Sequence, residues 1–109
     1  MAKPRYSPAA IRDLEQIGDY ISDELKNPSA ALNTVGHIQD SVDKLADAPG
    51  MGAPLSARYE NVDDYRYLVC GNYLVFYREH TGIAYIDRIL YGKMDYITIL
   101  FGELPEETK

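Results

Sequence analysis

Several residue types and segments that mark particular protein classes are scarce or absent in this chain of 109 residues. Tryptophan is absent, and the single cysteine, Cys70, excludes an internal disulfide and so the disulfide-rich secreted scaffolds. No apolar run approaches the roughly 18 residues of a membrane span. The N-terminus "MAKPRYSPAA" lacks the apolar core of a signal peptide. We therefore expect a cytoplasmic protein with no membrane partner.

Basic charge is also scarce, with 11 lysines and arginines against 17 acidic residues. The net charge is −6, and the acidic excess is shared equally by the two halves of the chain. Proteins that bind nucleic acids through phosphate contacts usually carry a basic patch, so this balance weighs against that class. The length and the 46% hydrophobic content are typical of one globular domain. We predict a single domain over residues 1–109.

The N-terminal half predicts a short edge strand, "KPRY", followed by two helices. Ser7 can cap the first helix with Pro8 at its first position, and Asn27 and Pro28 repeat this pattern for the second. Apolar residues at steps of three and four give each helix one stripe. The stripes are Ile11, Leu14, Ile17, Ile21 and Leu25, then Leu32, Val35, Ile38, Val42 and Leu45. The "APGMGAP" segment ends the second helix, and the short connection predicts an antiparallel helical hairpin.

The C-terminal half predicts β-strands, because "YRYLVC", "NYLVFYRE" and "IAYIDRILY" are rich in tyrosine, valine and isoleucine. Gly71-Asn72 and His80-Thr81-Gly82 are typical of hairpin connections. "DYITILFGEL" predicts either a short helix or a final strand, and we expect "PEETK" to fray. The predicted class is α+β with the order β-α-α-β-β-β, the helical hairpin lying on a small antiparallel sheet.

Metal and cofactor motifs are not found in the sequence. Cys70, His37 and His80 lack metal-ligand spacing. We expect His37 on a helix flank and Cys70 as a small buried hydrophobic residue. Neither a glycine-rich phosphate loop nor a nucleophile elbow is present. We predict no metal site and no cofactor.

A set of cations in the sheet half is the remaining source of chemistry. Its members are Arg58, Arg66, Arg78, Arg88 and Lys93. Strand alternation predicts which neighbours share a face with each arginine. These are Leu68 and Cys70 for Arg66, Leu74 and Phe76 for Arg78, and Ala84, Ile86 and Leu90 for Arg88. An arginine in an apolar strand either pairs with a carboxylate or faces a site, and we favour pairing. The available partners are Asp63, Asp64, Asp87 and Asp95.

The stretch "YLVFYREHTGIAYIDRILYGKMDYITIL", preceded by the two-helix hairpin, resembles the RelE/ParE family of toxins from bacterial type II toxin–antitoxin systems. The resemblance extends from "PRYSPAAIRDL" to "ITILF". It includes the β-α-α-β-β-β order, a Val-x-Tyr core strand and a closing hydrophobic-x-Gly-Lys-x-Asp turn. It implies a compact toxin fold, a co-encoded antitoxin, and a role in growth arrest or plasmid stabilization. A homodimer or a toxin–antitoxin heterotetramer is the assembly it implies.

One branch of this family cuts messenger RNA on the ribosome. Such cleavage needs a proton acceptor, a proton donor and positive charge at the phosphate. At two positions where that branch typically has arginine, this chain has Leu74 and Met94, which weighs against phosphate chemistry. If the protein is a nuclease, its catalytic candidates are Arg66, Arg78, Arg88, Lys93 and Tyr96.

The other branch inhibits DNA gyrase by binding and needs no catalytic residues. The Gly-Lys-x-Asp turn and the incomplete catalytic set favour this branch. The partner-binding candidates are Tyr91, Lys93, Met94 and Tyr96. Two alternatives stay open: a ribosome-dependent mRNA endonuclease, and a non-toxic interaction module that retains the fold. Whether the protein is an enzyme is left open with them.

The resemblance also predicts how the antitoxin binds. We expect an extended or amphipathic helical segment on the sheet and helix surfaces. Because this chain is itself acidic, apolar anchors should matter more than long-range attraction.

Overall fold

The structure is a computed structural model that describes residues 3–57 and 64–101. Arg58, Asp63 and the "PEETK" segment lie outside the described residues. The elements are β1 Arg5–Tyr6, α1 Pro8–Asp19, a π-helical turn Tyr20–Glu24, α2 Pro28–Asp43, β2 Ala53–Pro54, β3 Tyr65–Cys70, β4 Tyr73–His80, β5 Ile83–Tyr91 and α3 Tyr96–Phe101. No helix in the described ranges is long and apolar enough to cross a membrane.

Both predicted helix starts are confirmed. Ser7 Oγ accepts a hydrogen bond from the Ala10 amide at 2.9 Å, and Asn27 Oδ1 accepts one from the Ala30 amide at 3.1 Å. Each cap satisfies an amide that has no partner within the helix. The Ser7 hydroxyl also donates to the Asp87 carbonyl at 2.7 Å, which ties the start of α1 to β5.

The sheet has the order β1-β5-β4-β3-β2. The antiparallel pairing of β3, β4 and β5 follows the two predicted hairpins. The short edge strand is also present, but β1 pairs parallel with β5, so the sheet is mixed rather than wholly antiparallel. A tight hairpin forces antiparallel pairing, whereas the long connection from β1 to β5 allows either direction. The two-residue β2 was not predicted, because only a helix end was read from "APGMGAP".

The helical hairpin packs on one face of the sheet and forms the larger core cluster. Its buried residues are Ala10, Leu14, Ile17, Ile21, Ala31, Ile38, Val42, Leu45, Val75, Tyr77, Ala84, Ile86 and Ile89. The predicted stripes extend beyond this contact, because Ile11, Leu25 and Leu32 are 49%, 57% and 77% exposed. His37 is exposed on α2, as predicted. Cys70 is only partly buried against the core rather than fully buried.

The opposite face of the sheet is partly covered by α3. Of the two structures predicted for "DYITILFGEL", a short helix or a final strand, the helix is confirmed. Asp95 precedes this helix, and its carboxylate accepts from the Thr98 hydroxyl at 2.8 Å. Ile97 of α3 packs with Leu55, Phe76 and Leu90 in a second, smaller cluster. The sheet is therefore covered on both faces, by the hairpin on one and by α3 on part of the other.

Gly52 connects the segment after α2 to the sheet through two hydrogen bonds. Its amide donates to the Tyr77 hydroxyl at 2.8 Å, and its carbonyl accepts from Arg66 Nη1 at 2.7 Å. A Cβ at this position would lie 2.6 Å from Tyr77 Oη and 2.9 Å from the Tyr67 carbonyl oxygen. Real Cβ atoms do not approach this closely, so the position requires glycine.

We expect Gly52→Ala to lower the free energy of unfolding by about 2 kcal/mol, because Tyr77 is fully buried and has little room to move. Urea unfolding measures the change. Gly50→Ala is the matched control, since a Cβ at Gly50 meets nothing within 4 Å. Equal stability of the two variants would contradict the steric argument.

Candidate protein-interaction site

The turn that follows β5 is held by one backbone hydrogen bond to the neighbouring hairpin and by one within the turn itself. The Gly92 amide donates to the Asn72 carbonyl at 2.8 Å, and the Met94 amide donates to the Tyr91 carbonyl at 3.0 Å. A Cβ at Gly92 would lie 3.3 Å from the Asn72 oxygen, which explains glycine at this close approach. Lys93 is exposed at the tip of this turn. The turn is thus a fixed platform for its side chains.

Tyrosine rings lie beside this turn, at the start of β4 and the end of β5. Tyr73 and Tyr91 make an edge-to-face contact with ring centroids 5.9 Å apart. Burial raises the pKa of Tyr73, and the nearby Tyr91 and Tyr20 hydroxyls raise it further. Tyr20, Tyr91 and Met94 are 54%, 38% and 46% exposed. We call Tyr20, Tyr73, Tyr91, Lys93 and Met94 the turn surface.

Tyr20 was missed by the sequence reasoning. It belongs to the π-helical turn Tyr20–Glu24 that follows α1. Its approach to strand residues far along the chain leaves no local sequence signal. Only the high tyrosine content, ten residues in all, pointed to aromatic surfaces.

Tyr96, a predicted site residue, lies at the start of α3 and not in the turn surface. Its ring packs on Phe76 with centroids 5.1 Å apart. It is partly buried beside the second core cluster. Packing of α3 on the sheet is therefore one role that the structure gives to Tyr96.

Arg88 forms a two-pronged ion pair with Asp13 of α1. Nε and Nη2 each donate to a different carboxylate oxygen at 2.8 Å. The Asp13 side chain is only 6% exposed, and the Ile89 amide donates to it at 2.9 Å. The hydrogen bonds to Asp13 raise the pKa of Arg88. Pairing was predicted, but the partner is Asp13 and none of the four aspartates that were named.

The predicted face of Arg88 is also wrong in part. A β-bulge shifts the register so that Tyr77 pairs with Ile86 while Phe76 pairs with Arg88. Asp87 is the extra residue, and strand alternation reverses there. Arg88 therefore shares its face with Leu90 but not with Ala84 or Ile86.

Arg66 and Arg78 lie near the other end of the sheet. Arg66 is bonded to the Gly52 carbonyl, and the Arg78 guanidinium lies over the Tyr65 ring, 5.3 Å from its centroid. Both line an open hollow of 540 Å³, and the other described lining residues are Asp64, Glu79, His80 and Tyr85. Tyr65 donates to the Asp87 carboxylate, and burial together with this bond raises the pKa of Tyr65 to about 12.

The structure does not bring these arginines to Lys93. Tyr73, which pairs with Tyr91 next to the turn, is five positions before Arg78 on β4. At about 3.4 Å per residue this is about 17 Å. Arg66 and Arg78 form one group, Arg88 is paired with Asp13, and Lys93 stands apart. Among the residues described, no group of histidine, cysteine and acidic side chains could hold a metal ion.

A second surface is the groove between α1 and α2, with a volume of 910 Å³. Its apolar wall includes the exposed Ile11 and Leu32, and Tyr6 of β1 also lines it. Glu15 and Asp19 add acidic groups. Because the groove is apolar with few polar groups, it has the character of a protein-binding site.

Comparison with known proteins fits this arrangement. A family model described as the ParE toxin of the type II toxin–antitoxin system, parDE, matches residues 5–96. The chain belongs to this toxin family. A solved structure, the chromosomal ParDE toxin–antitoxin system from P. aeruginosa, is 26% identical with a TM-score of 0.69. The match covers 84% of this chain and 96% of that one. No curated protein sequence matches the chain.

This ParE-family chain is thus a type II toxin, and its partner is a cognate antitoxin. Leu74 stands at one of the two positions where the nuclease branch has arginine. It is partly buried against the second core cluster, which contains Ile97 of α3. Met94, at the other position, is exposed in the turn surface. An apolar side chain stands at each position where the resemblance to nucleases would require a cation.

Proposed function

We propose that this toxin arrests growth by binding DNA gyrase through the turn surface, and that it does not cleave RNA. The observation that supports this most directly is the exposed set of Tyr91, Lys93 and Met94 on a hydrogen-bonded turn, with the exposed Tyr20 near Tyr73 beside it. Tyrosine and methionine are enriched at protein interfaces, and tyrosine often anchors them. A rigid platform also reduces the entropy that is lost on binding.

The placement of the cations supports binding over cleavage. A nuclease must bring proton-transfer groups and positive charge to the same phosphate, within hydrogen-bond reach. Arg88 is neutralised by Asp13, and Arg78 is about 17 Å along β4 from the residue beside the turn. The cationic candidates named from the sequence are therefore spread over three places.

The groove between α1 and α2 is our proposed antitoxin site. An amphipathic helix presents apolar side chains at steps of three and four, which suits an apolar groove between two helices. Ile11 and Leu32 offer large exposed surfaces for such anchors. Because the groove and the turn surface consist of different residues, antitoxin and target need not compete for the same contacts.

Two assays with the purified protein test the target. We expect inhibition of gyrase supercoiling and no cleavage at A-site codons when the protein is added to translating ribosomes. RNA cleavage would overturn the proposal in favour of the endonuclease. Induced expression without antitoxin should slow bacterial growth, and unchanged growth at well-detected protein levels would favour the non-toxic interaction module.

We expect Tyr91→Ala to weaken gyrase inhibition about 30-fold, and Lys93→Ala about threefold, since an aromatic anchor contributes more than an exposed charge. Both side chains are exposed enough that unfolding should change little, by about 0.5 kcal/mol for Lys93. Titration of supercoiling inhibition measures both effects. Lys44→Ala, which removes an exposed lysine at the end of α2, is the control. Equal potency of all three variants would contradict the turn surface as the gyrase site.

A further inference from the structure

Four residues on adjacent strands form a row of alternating arginines and tyrosines. Arg5 of β1 is in register with Tyr85 of β5, Tyr85 with Arg78 of β4, and Arg78 with Tyr65 of β3. Registered residues on neighbouring strands point to the same face of a sheet. Tyr65 packs against the second core cluster, which contains Ile97 of α3. The four residues therefore lie on the sheet face opposite the helical hairpin. We call these four residues the arginine–tyrosine row.

The end of α3 reaches this row at Tyr65. Phe101, the last residue of α3, makes an edge-to-face contact with Tyr65 at 5.1 Å. Arg5 and Arg78 are exposed, and Tyr85 between them is partly exposed. Among residues 3–57 and 64–101, the only ion pair is between Arg88 and Asp13, so neither arginine of the row has a carboxylate partner there. Within the described residues, two arginines without an ion-pair partner therefore flank a partly exposed ring.

The spacing of these cations fits a particular ligand. Arg5 and Arg78 are two strands apart, about 9.6 Å at the usual strand separation. Three residues of extended chain span about 10 Å. An extended peptide with acidic side chains at positions i and i+3 could meet both guanidinium groups, while the residues between them cover Tyr85.

The local charge balance favours a peptide over a nucleic acid. Asp64 and Glu79 line the same hollow as Arg78 and Tyr85, and the whole chain carries a charge of −6. A phosphate backbone would bring negative charges close to these carboxylates. A peptide with two spaced acidic residues brings only two negative charges, placed to reach the arginines, and so fewer charges close to these carboxylates than a phosphate backbone does.

The row also lies close to the groove between α1 and α2, because β1 contributes one residue to each surface. Tyr6 lines the groove on the hairpin face, and its neighbour Arg5 belongs to the row on the opposite face. A segment that leaves the groove at this edge of the sheet needs to pass only the two-residue strand β1 to reach the row. One partner chain could therefore occupy both surfaces.

We infer that the arginine–tyrosine row binds an extended acidic segment of the cognate antitoxin, with two carboxylates three residues apart. This inference rests on the proposed antitoxin groove for the identity of the partner. The contact is electrostatic and exposed, so it adds salt-dependent affinity to the apolar anchoring in the groove.

The test measures binding of the full-length antitoxin to the wild-type toxin, to an Arg5→Gln/Arg78→Gln double variant and to Arg12→Gln. Arg12 is an exposed arginine of α1 outside both surfaces. At 50 mM NaCl we expect the double variant to bind about tenfold more weakly and Arg12→Gln to bind normally. At 500 mM NaCl the difference should fall below about threefold. Equal affinity and equal salt dependence of wild type and double variant would overturn the inference.

A second arm does not need the antitoxin. The probes are the capped peptide Gly-Glu-Pro-Pro-Glu-Gly, its counterpart with both glutamates replaced by glutamine, and a ten-nucleotide oligothymidylate. We expect only the glutamate peptide to shift the NMR amide signals of Arg5, Arg78 and Tyr85. Identical shifts from both peptides, or tighter binding of the oligonucleotide, would overturn the carboxylate assignment. Failure of the wild-type toxin to bind antitoxin, with a glutamate-specific peptide shift, would instead count against the proposed groove.

Discussion

Replacing Asp13 by alanine is expected to lower the free energy of unfolding by about 3–5 kcal/mol. The change leaves Arg88 without its counter-ion at a position where the side chain is only 29% exposed. It also removes the acceptor for the buried Ile89 amide. Domains of this size are commonly stable by about 5–15 kcal/mol, so the variant should be close to unfolding. Thermal and urea unfolding followed by circular dichroism measure the loss.

Two companion variants separate the charge from the hydrogen bond. Asp13→Asn retains an oxygen for the Ile89 amide, so its loss should be smaller than that of Asp13→Ala. Asp13→Leu combined with Arg88→Leu removes both charges and should be more stable than either single change, since no unpaired ion remains. A loss below about 1 kcal/mol for Asp13→Ala would show that this ion pair contributes little to the fold.

This ion pair also marks the limit of what the sequence can predict. The caps at Ser7 and Asn27, the hairpin turns and the antiparallel strands were all predicted correctly, because each depends on residues within a few positions of one another. Asp13 and Arg88 are separated by 75 positions. Their contact depends on how α1 lies along the edge of β5, which no local pattern encodes.

The bulge at Asp87 is a second non-local feature. Strand alternation placed Arg88 on the same face as Ile86, and one extra residue reversed that assignment. The parallel pairing of β1 with β5 is a third non-local feature. "KPRY" predicts an edge strand, but it gives neither the direction of that strand nor its neighbour in the sheet. The same limit applies to the candidate site. Tyr91, Lys93 and Met94 come from one short sequence motif at the end of β5 and stay predicted partner-binding residues. Tyr20 and the row through Arg5 approach other parts of the chain only in the three-dimensional fold.

The groove between α1 and α2 leads to the prediction with the largest functional effect. We expect Leu32→Asp to weaken antitoxin binding at least about 100-fold, because a carboxylate would replace an apolar anchor beside Glu15 and Asp19. Leu32 is 77% exposed, so folding should be almost unchanged. Calorimetric titration with the antitoxin measures the affinity.

The same variant should separate neutralisation from toxicity in cells. If the turn surface acts on the target and the groove binds the antitoxin, Leu32→Asp arrests growth as the wild type does, but co-expressed antitoxin no longer restores it. Asn33→Asp is the matched control, because it adds the same charge to an exposed neighbour on α2 that does not line the groove. Normal rescue of Leu32→Asp would place the antitoxin elsewhere. Loss of toxicity in a folded Leu32→Asp variant would mean that the target also contacts the groove, and that antitoxin and target compete for it.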